Sequence, residues 1–297
     1  MRLPRPDSRE RLRAFADSGK LVLAAASLER SGKACYLTLC RPEVLNAEDE
    51  QSLDDVELAV DLALLDPHSE VVVLRGAPIP KYAGRRAFCS GINLTRLQQG
   101  RIPPLWYLQR ELGVLNKIYR GLAQPQAEPE VFEASQEKPW IAQVDKFAIG
   151  GGCQYLLVMD CIVAGADAYL SLPARKEGII PGAANLRLPR FVGNRLARQL
   201  VLADQRIACD SAEGRLLCDV VVAPERVEDA VGEMVERLTA SGVVSFAANR
   251  RAFRLTQEPL DEFRRYMALY AREQAFCHFS PALLANLTKY WRASANA

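Results

Sequence analysis

A chain of 297 residues, 49% hydrophobic and 25% charged, has ordinary globular composition; at roughly 150 residues per domain it makes one large or two small domains. The formal net charge is +2 and no Lys/Arg block is present, so the footprint of a nucleic-acid binder is missing. Arg2, Arg5, Arg9, Arg11 and Arg13 alternate with acids and prolines where a secretory signal needs an apolar stretch, and no run reaches the ~18 apolar residues of a membrane helix, so a cytoplasmic protein without a membrane partner is expected.

Residues 9–29 read as a charged amphipathic helix with Leu12, Phe15 and Leu21 near one side, so residues 1–30 are expected to form an N-terminal helical segment. A strand follows at 34–39, and Asn46 is placed to cap a helix from 48 to 65 that Pro67 closes. The apolar run 71–75, ending in Gly76, has the pattern of a buried parallel strand. Residues 97–137 are polar and irregular, with a helix expected over 106–119. A second buried strand at 141–144 leads through Gly150, Gly151 and Gly152 into an apolar helix over 153–159, with short strands at 161–164 and 169–172. Beyond Pro189 the pattern predicts helices at 194–203, 211–216 and 227–240 and a strand at 219–222. From 245 to 291 it gives three amphipathic helices separated near Pro259 and Pro281. Strands alternating with helices predict an α/β core over residues 31–240, and the helical region 241–297 is expected to serve packing and oligomerisation.

Eight cysteines (35, 40, 89, 153, 161, 209, 218 and 277) lie mostly in apolar runs without a Cys-x-x-Cys pair, the pattern of buried reduced thiols. His68 and His278 are the only histidines, so neither a histidine metal site nor a Ser-His-Asp triad is expected.

Two glycine turns carry the chemistry. The first is Phe88-Cys89-Ser90-Gly91-Ile92-Asn93-Leu94. The second, Ala148-Ile149-Gly150-Gly151-Gly152-Cys153-Gln154, joins a buried strand to a helix. Successive glycines let a ligand approach the backbone, and a helix N-terminus presents unpaired N–H groups to negative charge. Two such donors aimed at one oxygen make an oxyanion hole. Taken alone, the glycine triplet is more simply a close-packed strand-to-helix junction, and it lacks the Gly-Lys-Ser/Thr of a P-loop.

The combination is more specific. Asn46-Ala47 after Arg41-Pro42, Ser90 to Leu94 after the strand at 71, Lys138-Pro139 before Ile141-Ala142, the glycine triplet, and Ile180-Pro181-Gly182 follow one another in the order of the crotonase (enoyl-CoA hydratase/isomerase) superfamily, which residues 34–222 resemble. The resemblance implies a spiral of ββα units, a CoA thioester substrate, the amides of Ile92 and Gly151 as the oxyanion hole, and a homo-oligomer built on trimers.

Hydratases of that superfamily carry one catalytic glutamate just after the glycine turn and a second shortly before Ile-Pro-Gly. Here the positions hold Gln154 and Ala174. A carboxamide takes up no proton at neutral pH and alanine has no acid-base group, so ordinary hydration is not expected. Gln154 reads either as a polar cap on its helix or as a group directing the ligand. The motifs at 89–94, 150–154 and 172–190 look most like one branch, the cofactor-independent dioxygenases of 3,5-dihydroxyphenylacetyl-CoA in antibiotic biosynthesis. That likeness implies an oxygen pocket at Ile92 and Ile179 beside Gln154, with Glu48 and Arg110 on the ring hydroxyls. It also implies O₂ as co-substrate and neither metal nor cofactor. Glu48 is a candidate proton acceptor by charge, while Glu177 reads as the salt-bridge partner of a nearby Arg or Lys. Rival readings are another crotonase-type isomerase, hydrolase or hydratase, and a catalytically silent crotonase-like scaffold subunit.

Overall fold

A computed structural model describes residues 2–123 and 135–291. Its main sheet has seven strands in the order Lys20–Val22, Ala26–Ser31, Ala34–Leu39, Val71–Gly76, Trp140–Val144, Cys161–Gly165 and Val220–Val222. The first two form an antiparallel hairpin on Ala34–Leu39, and every later neighbour is parallel. The apolar runs produce this arrangement because a parallel strand flanked by helices is buried on both faces. Alternation then sorts the residues. Val72, Leu74, Ala142, Val144, Ile162 and Ala164 join the larger core with helix Glu50–Leu65, whereas Val71, Val73, Ile141 and Val163 pack against Val227, Ala230, Val231 and Met234 of helix Val227–Thr239.

Two of the long strands lead into a short strand on a second sheet and then a helix. Trp140–Val144 continues to Phe147–Ile149 and helix Gly151–Leu156; Cys161–Gly165 continues to Tyr169–Ser171 and helix Ala174–Glu177. The short strands are parallel to one another, Arg206–Ala208 closes that sheet antiparallel, and Cys89 bridges Ala148 on its other edge. The repeated winding is the expected spiral of ββα units. Tyr169–Ser171 lies where a short strand was expected, whereas Phe147–Ile149 and Arg206–Ala208 escape sequence reading because three residues are too few for alternation to register.

Several elements differ from expectation. The N-terminal helix spans Pro6–Ser18 and stops at Gly19, which adopts the left-handed conformation (φ 67°) and returns its N–H to Phe15 O at 2.7 Å. Leu21 and Glu29 therefore belong to the hairpin, and the main sheet runs across residue 30. Asn46 caps nothing: its amide donates to Ala77 O (3.3 Å) and Ala87 O (2.7 Å). The true cap is Asp49, paired reciprocally with Ser52 at the start of Glu50–Leu65. The helix expected at 194–203 is the second half of Ala184–Leu202, broken at Gly193 (φ 73°, ψ 160°), and the one at 211–216 shrinks to the turn Gly214–Leu216. The helix expected over 106–119 is present as the continuous run Pro104–Gln109, Arg110–Leu115 and Asn116–Arg120, preceded by the short helix Leu94–Gln98; residues 124–134 of the stretch read as irregular lie outside the described part. The tail follows its prolines as Val244–Gln257, Leu260–His278 and Pro281–Tyr290. Its middle helix places Tyr270 at the site described next, and its last helix packs on Ala174–Glu177.

Candidate active site

The two glycine turns lie side by side because the strand ends that feed them pair. Ile149 N–H donates to Cys89 O at 2.9 Å, and beyond that bond Gly91 turns at φ 87°. A Cβ on Gly91 would stand 2.8 Å from Ile149 O and 3.0 Å from Gly151 N, so no other residue fits this contact. Next to it, Glu48 N–H donates to Gly91 O (2.8 Å) and Asn93 N–H donates to Glu48 O (2.7 Å). That parallel register leaves the intervening Ile92 N–H outside the ladder. Gly151 is the first residue of its helix, so its N–H has no intrahelical acceptor either. Among the described residues neither N–H has an acceptor, and both residues line one cavity.

A second part of the lining is made of charge. Between Pro104–Gln109 and Asn116–Arg120 the helix widens to a π turn over Arg110–Leu115, which brings Arg110 and Glu111, adjacent in sequence, to the same cavity. Arg110 Nε donates to Glu48 Oε1 (2.9 Å) and Oε2 (3.0 Å), Nη1 to Gln154 Oε1 (2.8 Å), and Nη2 to Gly151 O (2.8 Å). Its guanidinium lies 4.8 Å from the ring centroid of Tyr155, whose hydroxyl donates to Glu48 Oε1 at 2.8 Å. Burial alone would lower the Arg110 pKa, but Glu48 outweighs it and holds the guanidinium above its ordinary value. Because arginine only donates, the Gln154 atom facing it is the carbonyl oxygen, and among the described residues the amide nitrogen has no acceptor. Gln154 is therefore no helix cap. Both oxygens of Glu48 are engaged by Arg110 and Tyr155.

The remaining expected residues can be placed on the cavity lining. Ile92, Gly151, Gln154, Glu48, Arg110 and Ile179 all face the cavity, as does Ala174 at the position of the missing second glutamate. Ile180, next to Ile179, donates its N–H to Gln274 Oε1 at 2.8 Å. Glu177 also lines the cavity. It makes no ion pair with Arg175 or Lys176: Arg175 reaches Asp204 at 3.5 Å, and the Lys176 amine lies over the Tyr290 ring. The sequence reading of Glu177 as a salt-bridge partner is corrected by this geometry. Trp106, Tyr107, Glu111 and Tyr270 complete the walls and were not foreseen; the Trp106-Tyr107 doublet just ahead of Arg110 was the available signal. Glu111 is buried, with each of its oxygens 3.7 Å from a guanidinium nitrogen, one of Arg110 and one of Arg187. Desolvation raises its pKa against the pull of those two cations. The cavity measures about 30 Å³, room for a water-sized molecule.

Among the described residues no group of three or more His, Cys, Asp and Glu is placed to hold a metal ion, and no helix is long and apolar enough to cross a membrane. All eight cysteines are free thiols.

Residues 29–279 match the enoyl-CoA hydratase/isomerase family. The chain is 52% identical over 276 residues to (3,5-dihydroxyphenyl)acetyl-CoA 1,2-dioxygenase of Amycolatopsis orientalis, covering 91% of this chain and 62% of that protein. It is 29% identical over 227 residues to a short-chain-enoyl-CoA hydratase of Clostridium acetobutylicum, covering 76% and 79% of the two. An enoyl-CoA hydratase from Mycobacterium avium subsp. paratuberculosis shares the fold with TM-score 0.74 at 23% identity, over 90% of this chain and 99% of that one. A carnitinyl-CoA hydratase from Mycobacterium avium aligns with TM-score 0.70 at 26% identity, over 88% and 93%. With a family match running from the hairpin into the C-terminal helices and a spiral of ββα units beneath it, the chain belongs to the enoyl-CoA hydratase/isomerase family.

Proposed function

We propose that this protein is a cofactor-independent dioxygenase of an arylacetyl-CoA thioester, 3,5-dihydroxyphenylacetyl-CoA, giving an aryl glyoxylate and free CoA. One observation carries the reading: two N–H donors without acceptors face a cavity in which Gln154 and Ala174 replace the glutamates that would activate water. The identity to the Amycolatopsis dioxygenase supports the substrate and the chemistry. The chain spans about 62% of that relative's length.

The thioester oxygen sits on the amides of Ile92 and Gly151, which stabilise negative charge as it develops there. An α-proton between a thioester and an aromatic ring is already acidic, so its loss gives an enolate conjugated with the ring. That anion passes one electron to O₂, and the radical pair combines to a Cα–O bond. The peroxide then attacks the thioester carbonyl, the O–O and C–S bonds break, and the second α-proton is lost. One substrate and one O₂ become ArCO–COOH and CoASH, with every electron drawn from Cα. Ile92 and Ile179 give O₂ an apolar seat beside Gln154. Ring hydroxyls exchange into the Glu48–Arg110–Gln154 network. Because the cavity holds no more than a water-sized molecule, the walls carrying Tyr107, Ile179 and Tyr270 part to admit the ring. A trimer-based homo-oligomer in the cytoplasm belongs to the same reading, supported by exposed Phe253, Leu255, Phe276 and Phe279 on the C-terminal helices.

The test is to mix enzyme and thioester without oxygen, then admit ¹⁸O₂. Two labelled atoms in the aryl glyoxylate, matched by oxygen uptake, are expected. Unlabelled hydrolysis or hydration would assign another reaction of the family, and absence of any turnover would leave a silent subunit.

A further inference from the structure

The proposed reaction needs an acceptor for the α-proton, and Glu48 is occupied by Arg110 and Tyr155. Three other features bear on the choice. Helix Ala174–Glu177 is a single turn closed by Gly178 in the left-handed conformation (φ 90°). Positions three apart in a helix share a face, so Glu177 lies on the same side as Ala174, and both line the cavity. Among the described residues the Glu177 carboxylate takes no hydrogen bond and no ion pair. It is an uncommitted acceptor facing the site of reaction.

Glu111 is the competing carboxylate. Its position between Arg110 and Arg187, each at 3.7 Å, makes it the counter-charge to two buried guanidinium groups. Removing its charge by protonation would leave those cations less compensated.

We propose that Glu177 is the catalytic base, taking the α-proton from the thioester from the position one helical turn beyond the missing glutamate. The C–H bond breaks, an O–H bond forms on the Glu177 carboxyl, and the electron pair moves to the thioester oxygen held by Ile92 and Gly151. The proton later leaves with the CoA thiolate as the thiol. This inference rests on the enolate reading above and adds the group that begins it. The surroundings suit a base working near neutrality. Burial first, and the neighbouring Asp204 second, push Glu177 up to about 7, with Lys176 opposing them. Tyr107 and its neighbour His278 (Tyr107 Oη to Nδ1 3.5 Å) stand on the facing elements. The base is active as the anion, so proton removal rises with pH through about 7 and levels off above it.

The experiment is α-hydrogen exchange in D₂O under nitrogen, with 3,5-dihydroxyphenylacetyl-CoA as probe and mass as readout. Wild type is expected to load deuterium at Cα, and Glu177→Gln to slow this by about 10²–10⁴-fold, the usual worth of a general base. Thioester affinity and melting temperature should be retained in that variant, and Glu177→Asp should restore part of the rate. Exchange that persists in Glu177→Gln within about threefold of wild type overturns the proposal, since a general base is worth at least about 10²-fold; its loss in Glu111→Gln instead would assign Glu111. No exchange by wild type also overturns it. Exchange without later oxygen uptake would refute the dioxygenase reading and leave the Glu177 assignment standing on the variant.

Discussion

The two walls of the cavity are built by opposite means. One is backbone: strand ends in register, glycines where a Cβ has no room, and N–H groups left over by the ladder and the helix start. The other is side chain: Arg110, carried on a helix that widens to a π turn, binds Glu48 and Gln154, and Tyr155 donates to Glu48. The backbone wall is rigid and tolerates almost no substitution. The charged wall is held by a handful of hydrogen bonds that a substrate can replace one at a time. On the proposed reading, a site made this way would fix the reacting carbonyl and leave the far end of the ligand adjustable.

The largest test of that contrast is at Gly91. Gly91→Val puts a branched side chain at φ 87° against Ile149 O and Gly151 N. Turnover should drop by about 10³-fold or more, beyond the loss of a single donor, because both turns shift. Gly84→Val is the control, since Gly84 has φ 79° but nothing within 4 Å of its Cβ. Its cost should be backbone strain alone, about 1–2 kcal/mol in thermal or urea unfolding, with turnover kept. If both variants lose activity alike, strain and not contact is what matters at the turn.

The charged wall should break in a different way. Glu48→Leu or Arg110→Leu alone strands a buried charge and should destabilise the fold by about 3–5 kcal/mol, while the double variant recovers much of that. Urea unfolding of the four proteins measures the coupling. Simple additivity would show that the pair is held only by its separate contacts. The smallest expected effect is at Ile179, where serine should lower oxygen uptake about tenfold while thioester affinity stays within about threefold, the scale of one apolar contact. Equal loss of both would remove the oxygen-pocket role.

The same division explains what could be read without coordinates. Gly91, Gly150 and Gly151 are visible in sequence because a backbone wall needs glycine, and glycine next to an apolar strand is a local pattern. Val71–Gly76 and Trp140–Val144 are legible for the same reason: burial on both faces writes itself into consecutive residues. Glu48 and Arg110 were placed by family likeness, since residues 62 apart in the chain carry no local sign that they meet. Glu111, Tyr155 and Tyr270 left no sign at all, as a buried charge or aromatic reads the same in a core as in a site. Asn46 was misread because its side chain satisfies carbonyls 31 and 41 residues away instead of the next helix. Glu177 was misread because a charge beside Arg175 and Lys176 suggests pairing, and only the coordinates show those two cations turned elsewhere.

The π turn over Arg110–Leu115 sets a constraint on how this family member can change. The helical run is pinned at both ends: Trp106 Nε1 donates to Asp49 O at 3.0 Å, and Ile118 O accepts from Arg250 at 3.0 Å. Between these anchors the number of residues, and not their kind, decides which side chains point inward. Removing one residue would restore regular pitch and swing either Arg110 or Glu111 aside by about 100°. Point substitution can alter the charges on this wall, but its geometry is stored in chain length, so a change of substrate that needs a different wall requires an insertion or a deletion.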